Sequence, residues 1–354
     1  MSTFNLDSVL REKIFLVLEI GCNYENDLEK AKEMIRYAAE QGADAVKFQT
    51  FIAEKVFSTH AEKFWDIEGC PGDTPLDEFR LMPHLTKNQY LMLKDEAEKA
   101  GVIFFSTPED ETSFELLNDI GVPLWKISSM NITHKPLIDL CAATQRPILL
   151  STGASTIPEI FQAVEWIENH GNHNIVIMHC ISNYPTMDSN ANLRMINHIQ
   201  KCFPEYWVGY SDHTLPIDGE GVITAAVACG AKVIEKHYTW DSTRPGYDHQ
   251  ISVDYRGVRR LITQIERVNS ALGSERKQPI EAEAKARIHA RRSVTANEHI
   301  PRGTRIEKRM LEIKRPSYGI APQFLEHVVG RVAIVDISYD TQIKWEMIGS
   351  YAEN

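Results

Sequence analysis

Eight short apolar runs recur along the chain, each rich in β-branched or aromatic residues and too short to make a helix. They are FLVLEIG (15–21), ADAVKFQ (43–49), VIFFSTP (102–108), PLWKISS (123–129), PILLSTG (147–153), NIVIMHC (174–180), WVGYSDH (207–213) and KVIEKHYT (232–239). Between them lie stretches of helical periodicity such as DLEKAKEMIRYAAEQ, IPEIFQAVEWIENH and GEGVITAAVACG. Strands that are apolar without alternation are covered on both faces, as in parallel sheets, and eight successive βα units can close into a (β/α)8 TIM barrel. Gly42, Gly101, Gly121 and Gly230 each precede a strand, where a helix C-cap takes positive φ, and Thr156 with Glu159 has capping-box spacing. An open doubly wound sheet is the structural rival.

The pattern divides the chain into a barrel over residues 1–280, a charged linker at 281–292, and a small mostly-β module at 293–354, where IPRGTRI, RPSYGIAP and VVGRVAIVDISYDTQI break short β-like runs. One long connection, Phe51 to Lys87, follows the C-terminal end of the second strand and contains Trp65, Cys70, Pro71 and Pro75. On that face it is expected to act as a lid over substrate.

Composition narrows the class. No apolar run approaches the roughly 18 residues of a membrane span, so a soluble chain with no membrane partner is expected. The opening MSTFNLDSVLREK has neither a basic leader nor an apolar h-region, which makes the cytoplasm the default location. A net charge of −11 argues against nucleic-acid binding but leaves room for a local basic pocket. Cys22, Cys70, Cys141, Cys180, Cys202 and Cys229 form no CxxC pair, as expected of reduced thiols without a disulfide or zinc knuckle.

The strand ends carry the chemistry. Glu19, Lys47 and Gln49, Ser106 and Thr107, Lys126 with Ser128 and Ser129, Ser151 and Thr152, His179, Ser211 to His213, and Glu235 with His237 would converge on one barrel mouth. Lys47 and Lys126, with hydroxyls at Thr107, Ser129, Ser151 and Ser211, suit a phosphorylated, carboxylated anion; salt bridges at the barrel end are the plainer reading. His213 and His237 end consecutive strands and make good ligands for a divalent metal, with coordination positions left for water and substrate. Glu19 is a candidate general acid/base or a partner of the metal, and Asp248 with His249 either binds hydroxyls or forms a loop turn.

In order along the chain, EIGCN (19–23), GADAVKFQT (42–50), FSTPED (105–110), WKISS (125–129), ILLSTG (148–153), SDHTL (211–215), EKHYT (235–239), RPGYDH (244–249) and KRPSYGIAP (314–322) resemble the sialic acid synthase family, which includes legionaminate and pseudaminate synthases. That resemblance implies a (β/α)8 barrel followed by an antifreeze-like (SAF) domain. It also implies condensation of phosphoenolpyruvate with an N-acetylmannosamine-type sugar, and a domain-swapped homodimer.

Residue by residue, it implies Mn2+ or Mg2+ on His213 and His237, with Glu19 catalytic. Phosphoenolpyruvate contacts fall at Lys47, Thr107, Lys126, Ser129, Ser151, Ser182 and Ser211, the Ser182 position being Asn in some members. Sugar contacts fall at Gln49, Tyr184 and Asp248, and Arg315 is supplied by the neighbouring subunit.

The chain departs from the family at Tyr24, Asn26 and Ser317. It also has Ser128-Ser129-Met130-Asn131 in place of Gly-Ser-Gly-Glu, so a sugar-binding carboxylate becomes Asn131. An amide adds donors and removes charge. Pseudaminate-type members share Arg-Pro-Ser-aromatic-Gly, which makes a diacetamido-trideoxyhexose the alternative sugar. A Schiff-base aldolase using Lys47 or Lys126, and a non-catalytic sugar-phosphate sensor, are rival functions.

Overall fold

The computed structural model describes residues 4–63, 69, 72–216 and 221–351, so Trp65, Cys70 and Pro71 of the long connection lie outside the described residues. Each apolar run becomes a strand: β1 (Phe15–Glu19), β2 (Ala45–Thr50), β3 (Ile103–Pro108), β4 (Trp125–Ile127), β5 (Ile148–Ser151), β6 (Ile175–Cys180), β7 (Trp207–Asp212) and β8 (Val233–Thr239). The order is β3-β2-β1-β8-β7-β6-β5-β4, with every neighbouring pair parallel. Because β1 pairs with both β2 and β8, the first and last strands are neighbours and the sheet curls into a barrel, which excludes the open doubly wound alternative. β3 and β4 lie side by side without a paired ladder, leaving one seam in the wall.

The helices between strands start and stop where local chemistry requires. Asp27 caps Leu28–Gln41 through its side chain, and Gly42, at φ 101°, ends that helix in a left-handed conformation an L side chain resists. The Glu159 carboxylate accepts from Thr156 N at 2.6 Å, closing the capping box of Ile157–Glu168. The apolar faces of these helices meet the outer face of the strands in one continuous core.

Outward-facing Lys236 on β8 is completely buried and donates to Asp212 Oδ2 at 2.6 Å and Thr214 O at 2.7 Å. Asp212 also accepts from Tyr210 Oη at 2.9 Å and Thr214 Oγ1 at 2.9 Å. This network ties down the turn that carries His213.

The long connection is not a bare loop. It holds two helices, Ala53–Val56 and Pro75–Leu81, and its apolar side chains pack together, with Phe79 against Phe51 at 4.8 Å and Phe57 at 4.6 Å between ring centroids. Cys141, Cys180, Cys202 and Cys229 are free thiols, Cys22 is buried, and Cys70 is outside the described residues. Among the described residues no helix is long and apolar enough to cross a membrane.

The chain divides into two compact units at Gly273/Ser274. The second has its own core, centred on Val294, Ile300, Ile306, Val328, Ile337 and Ile343. Its strands form two antiparallel ladders, Ser293–Ala296 with Leu311–Lys314 and Arg331–Ala333 with Ile348–Tyr351. The segment expected as linker carries a 3-10 turn, Glu281–Glu283, and a short helix, Ala284–His289, and it clusters with this second unit.

Lys236→Met would leave Asp212 charged and buried without its partner, a change that costs about 3–5 kcal/mol. The expected result is a lower denaturant midpoint for the barrel transition. An unchanged midpoint would remove the network from the forces that hold the β7 turn.

Candidate active site

Parallel register decides which side chains share the mouth. Glu19 on β1 sits beside Lys47 on β2 and His237 on β8; Gln49 sits beside Thr107 on β3, and Ser211 on β7 beside Glu235 on β8. Alternation along β8 sends Glu235 and His237 inward and Lys236 outward. The result is a cavity of about 450 Å³ at the C-terminal ends of the strands.

All fourteen barrel residues nominated from sequence line it, from Glu19 to Asp248. Arg315 belongs to the second unit, between Lys314 and a cis peptide bond to Pro316. His249 is not among the lining residues; its Nδ1 bonds Thr239 Oγ1 at 2.7 Å.

The floor is a chain of alternating charges. Lys47 Nζ lies 2.7 Å from Glu19 Oε2 and 3.6 Å from Glu235 Oε1, and Lys126 Nζ lies 3.5 Å from Glu235 Oε2. Lys47 also donates to Thr107 Oγ1 at 3.0 Å, and Gln49 donates to Glu19 Oε1 at 3.0 Å. All four charged groups are buried.

Burial raises the Glu19 carboxyl to about 7, against the pull of Lys47 and with help from Glu235. Glu235 goes the other way: burial would raise it, but Lys126 and Lys47 together hold it below its ordinary value. Burial would lower the Lys47 ammonium, yet Glu19 and Glu235 outweigh it and hold the group above its ordinary value. One carboxyl therefore sits near neutrality beside another that stays ionised, an arrangement that can hold or move a proton.

Opposite this floor stand the hydroxyls. Ser151 Oγ and Ser182 Oγ are buried without a hydrogen-bond partner. Gly153 N donates to Ser129 Oγ at 2.9 Å, and a Cβ on Gly153 would collide with Ser182 Oγ and stand 2.8 Å from Ser129 Oγ. Unpaired buried hydroxyls around a glycine cradle are donors waiting for an acceptor that the protein does not supply.

The histidines lie at the other side, with ring centroids 5.4 Å apart and Tyr184 packed 4.2 Å from His213. Burial lowers His213 to about 4 and His237 well below its ordinary value, so both imidazoles are neutral. His213 Nδ1 donates to Ile181 O at 2.7 Å, which leaves Nε2 with a free lone pair. His237 Nδ1 is buried without a hydrogen bond, 3.4 Å from Asp248 Oδ2.

Neutral, oriented imidazoles with an orphaned buried nitrogen fit ligation of a divalent ion. Among the described residues no cluster of three or more His, Cys or carboxylate side chains is arranged for a metal, so two histidines would supply only part of its shell. Asp248, raised by burial to about 6, stands next to them.

Sequence reasoning overlooked several lining groups. Glu235 appeared only as one polar strand end; its period-two spacing from His237 was the available signal. Glu109 follows Pro108 at the end of β3, and Glu78, Phe57 and Phe79 come from the long connection, whose packing no periodicity announces. The oversight matters for charge: two ammonium groups and five carboxylates line the cavity, so Lys47 and Lys126 are not free charges awaiting an anion.

Residues 34–277 match the NeuB family, and residues 291–349 match the SAF domain. The chain is 36% identical to the N,N'-diacetyllegionaminic acid synthase of Legionella pneumophila, over 94% of both chains. It is 33% identical to the N-acetylneuraminate-9-phosphate synthase of Homo sapiens, over 96% of this chain and 94% of that one. Among solved structures it resembles the N-acetylneuraminic acid (sialic acid) synthetase of Leptospira borgpetersenii, with a TM-score of 0.70 and 32% identity over 77% of this chain and 90% of that one.

The shifted groups give stability a defined pH dependence. His213 is held near 4 against an ordinary 6.5, so its contribution is complete above pH 6.5 and is lost as pH falls towards 4. Glu19, near 7 against an ordinary 4.5, acts oppositely and weakens the fold as pH rises from 4.5 to 7. In thermal melts of the metal-free chain from pH 4 to 8, His213→Gln is expected to flatten the acid-side slope and Glu19→Gln to remove the loss on approaching neutrality. Parallel profiles for wild type and variants would contradict both assignments.

Proposed function

The chain belongs to the NeuB family and carries a C-terminal SAF domain, and from that membership we propose that it is a nonulosonic acid synthase. Its reaction joins C3 of phosphoenolpyruvate to the aldehyde carbon of an N-acetylmannosamine-type sugar, with water adding at C2 and phosphate leaving. The product is a nine-carbon 2-keto sugar acid. The observation that carries this reading is the juxtaposition of the Glu19–Lys47–Glu235–Lys126 chain, the unpaired serine hydroxyls and two neutral histidines in one cavity.

Ser151, Ser182 and the Gly153 cradle would receive the anionic groups of phosphoenolpyruvate, and Lys47 and Lys126 would balance its charge. Glu19, being close to neutrality, would take the proton lost by the attacking water. Gln49, Tyr184, Asn131 and Asp248 would orient the sugar. His213 and His237 would hold Mn2+ or Mg2+, which when bound supplies a Lewis acid for the aldehyde oxygen. The surplus of carboxylates in the cavity supports such a cation, and equally supports the arrival of Arg315 from a second copy in a domain-swapped homodimer.

The apolar stretch of the lining, Val56, Phe57, Phe79, Met82 and Met130, favours a second sugar for the same reaction. A 2,4-diacetamido-trideoxyhexose presents a methyl group where mannosamine presents a hydroxymethyl, and a methyl against that wall needs no hydrogen-bond partner. The Schiff-base aldolase loses support at Lys47, because an imine needs a neutral amine and this ammonium is stabilised by two carboxylates.

Phosphate release from phosphoenolpyruvate, with Mn2+ and a panel of mannose-, altrose- and gulose-type acetamido sugars, is the direct test. Turnover is expected with at least one sugar, abolished by EDTA and restored by Mn2+, with no borohydride-trapped adduct. Glu19→Gln is expected to lower kcat at least about a hundredfold while the melting profile shows an intact fold. Binding of phosphoenolpyruvate without phosphate release from any sugar would favour the sensor, and a trapped adduct with EDTA-resistant activity the aldolase.

A further inference from the structure

Resting on the synthase reading above, we propose that Glu109 supplies the carboxylate that reads the sugar, in place of the one lost at Asn131. In sequence, residue 131 is an amide where the resembled family has a sugar-binding glutamate, so the pocket stands to lose a charged acceptor. The structure returns one from the adjacent strand end. Glu109 follows β3 and lines the same cavity, and its Oε2 accepts Asn131 Nδ2 at 2.6 Å and Ser128 Oγ at 3.0 Å.

Those two donors fix the carboxylate in one orientation. Its second oxygen, Oε1, takes no hydrogen bond from the described residues, and the Asn131 amide, with one of its two N–H donors on Glu109, has a carbonyl oxygen and a second N–H to offer. The charged group of the pair, Glu109 Oε1, can only accept while ionised, and the Asn131 carbonyl adds a second acceptor beside it. A pair of this kind selects a ligand that brings donors, such as hydroxyl or acetamido N–H groups.

It also disfavours negative charge. Glu109 and Asp248 line the cavity together, while Glu78 is paired with Lys63 at 3.0 Å, and a phosphate on the sugar would meet the two carboxyl groups. The substrate class assigned by this geometry is an acetamido sugar without a phosphate ester.

The pairing makes a reciprocal exchange informative. Glu109→Gln is expected to raise KM for the acetamido sugar about tenfold or more, with KM for phosphoenolpyruvate changed less than about twofold, as for loss of a charge-assisted hydrogen bond. Asn131→Glu alone would set two carboxylates in contact and is expected to be impaired as well. The double variant Glu109→Gln/Asn131→Glu moves the charge to the other strand and should recover sugar KM to within about threefold of wild type.

A role confined to structure predicts no such rescue. An unchanged sugar KM in Glu109→Gln, a double variant no better than Asn131→Glu, or equal use of the 6-phosphorylated sugar by wild type would each overturn the proposal. Failure of the synthase reading is separable: wild type would release no phosphate with any sugar. In that event calorimetry with N-acetylmannosamine decides the role of Glu109, equal affinities in wild type and Glu109→Gln counting against it.

Discussion

The structure turns on how four charges are kept inside a protein wall. Taking a carboxylate or an ammonium out of water costs several kcal/mol for each ion unless close partners compensate. Glu19, Lys47, Glu235 and Lys126 meet that cost by alternation, each lysine touching at least one carboxylate and Glu235 bridging both lysines. Only a closed parallel barrel brings these residues together, because they come from strands one, two, four and eight. Loss of any one member leaves its neighbour buried and unbalanced, which makes the mouth rigid as well as polar.

That rigidity sets the protonation states around it. Glu235 is held ionised by two ammonium groups, so it adds negative charge beside Glu19 and helps push that carboxyl towards neutrality. The same ammonium groups disfavour a positive imidazolium at His237, and burial alone suffices to keep His213 neutral. A single arrangement therefore yields an ionised carboxylate, a titratable one and two neutral imidazoles within one cavity. Behind it, the buried Lys236–Asp212 pair holds the turn bearing His213 against the barrel wall.

Much of this was readable in the chain. The eight strands appear where unbroken apolar runs appear, since both faces of a parallel strand are buried and alternation vanishes. The inward residues at strand ends were visible because polar groups in apolar runs are rare. Which charges pair was not visible: salt bridges at the barrel end were one reading of Lys47 and Lys126, but register, not sequence proximity, brings Glu19 and Glu235 to them. Glu109 was missed for a related reason, as it lies one residue beyond β3, where strand periodicity no longer says which way a side chain faces. The helices of the long connection are short and held by aromatic packing, so their contacts, unlike their apolar residues, leave no periodic trace.

The seam in the barrel bears on the proposed exchange of charge between Glu109 and Asn131. β3 and β4 adjoin without a paired ladder, so little main-chain bonding fixes their ends relative to each other. Glu109, just past β3, bonds Ser128 just past β4 and Asn131 in the 3-10 turn that follows, and these side-chain contacts span the gap at the mouth. A carboxylate on either side could make the same bridge, because the two side chains already meet across the seam at 2.6 Å. Fold and recognition thus ask the same thing of the pair: one acid and one amide. Neither requirement specifies which side of the seam carries the acid, so the proposed exchange would keep the chemistry that the pair presents to the cavity.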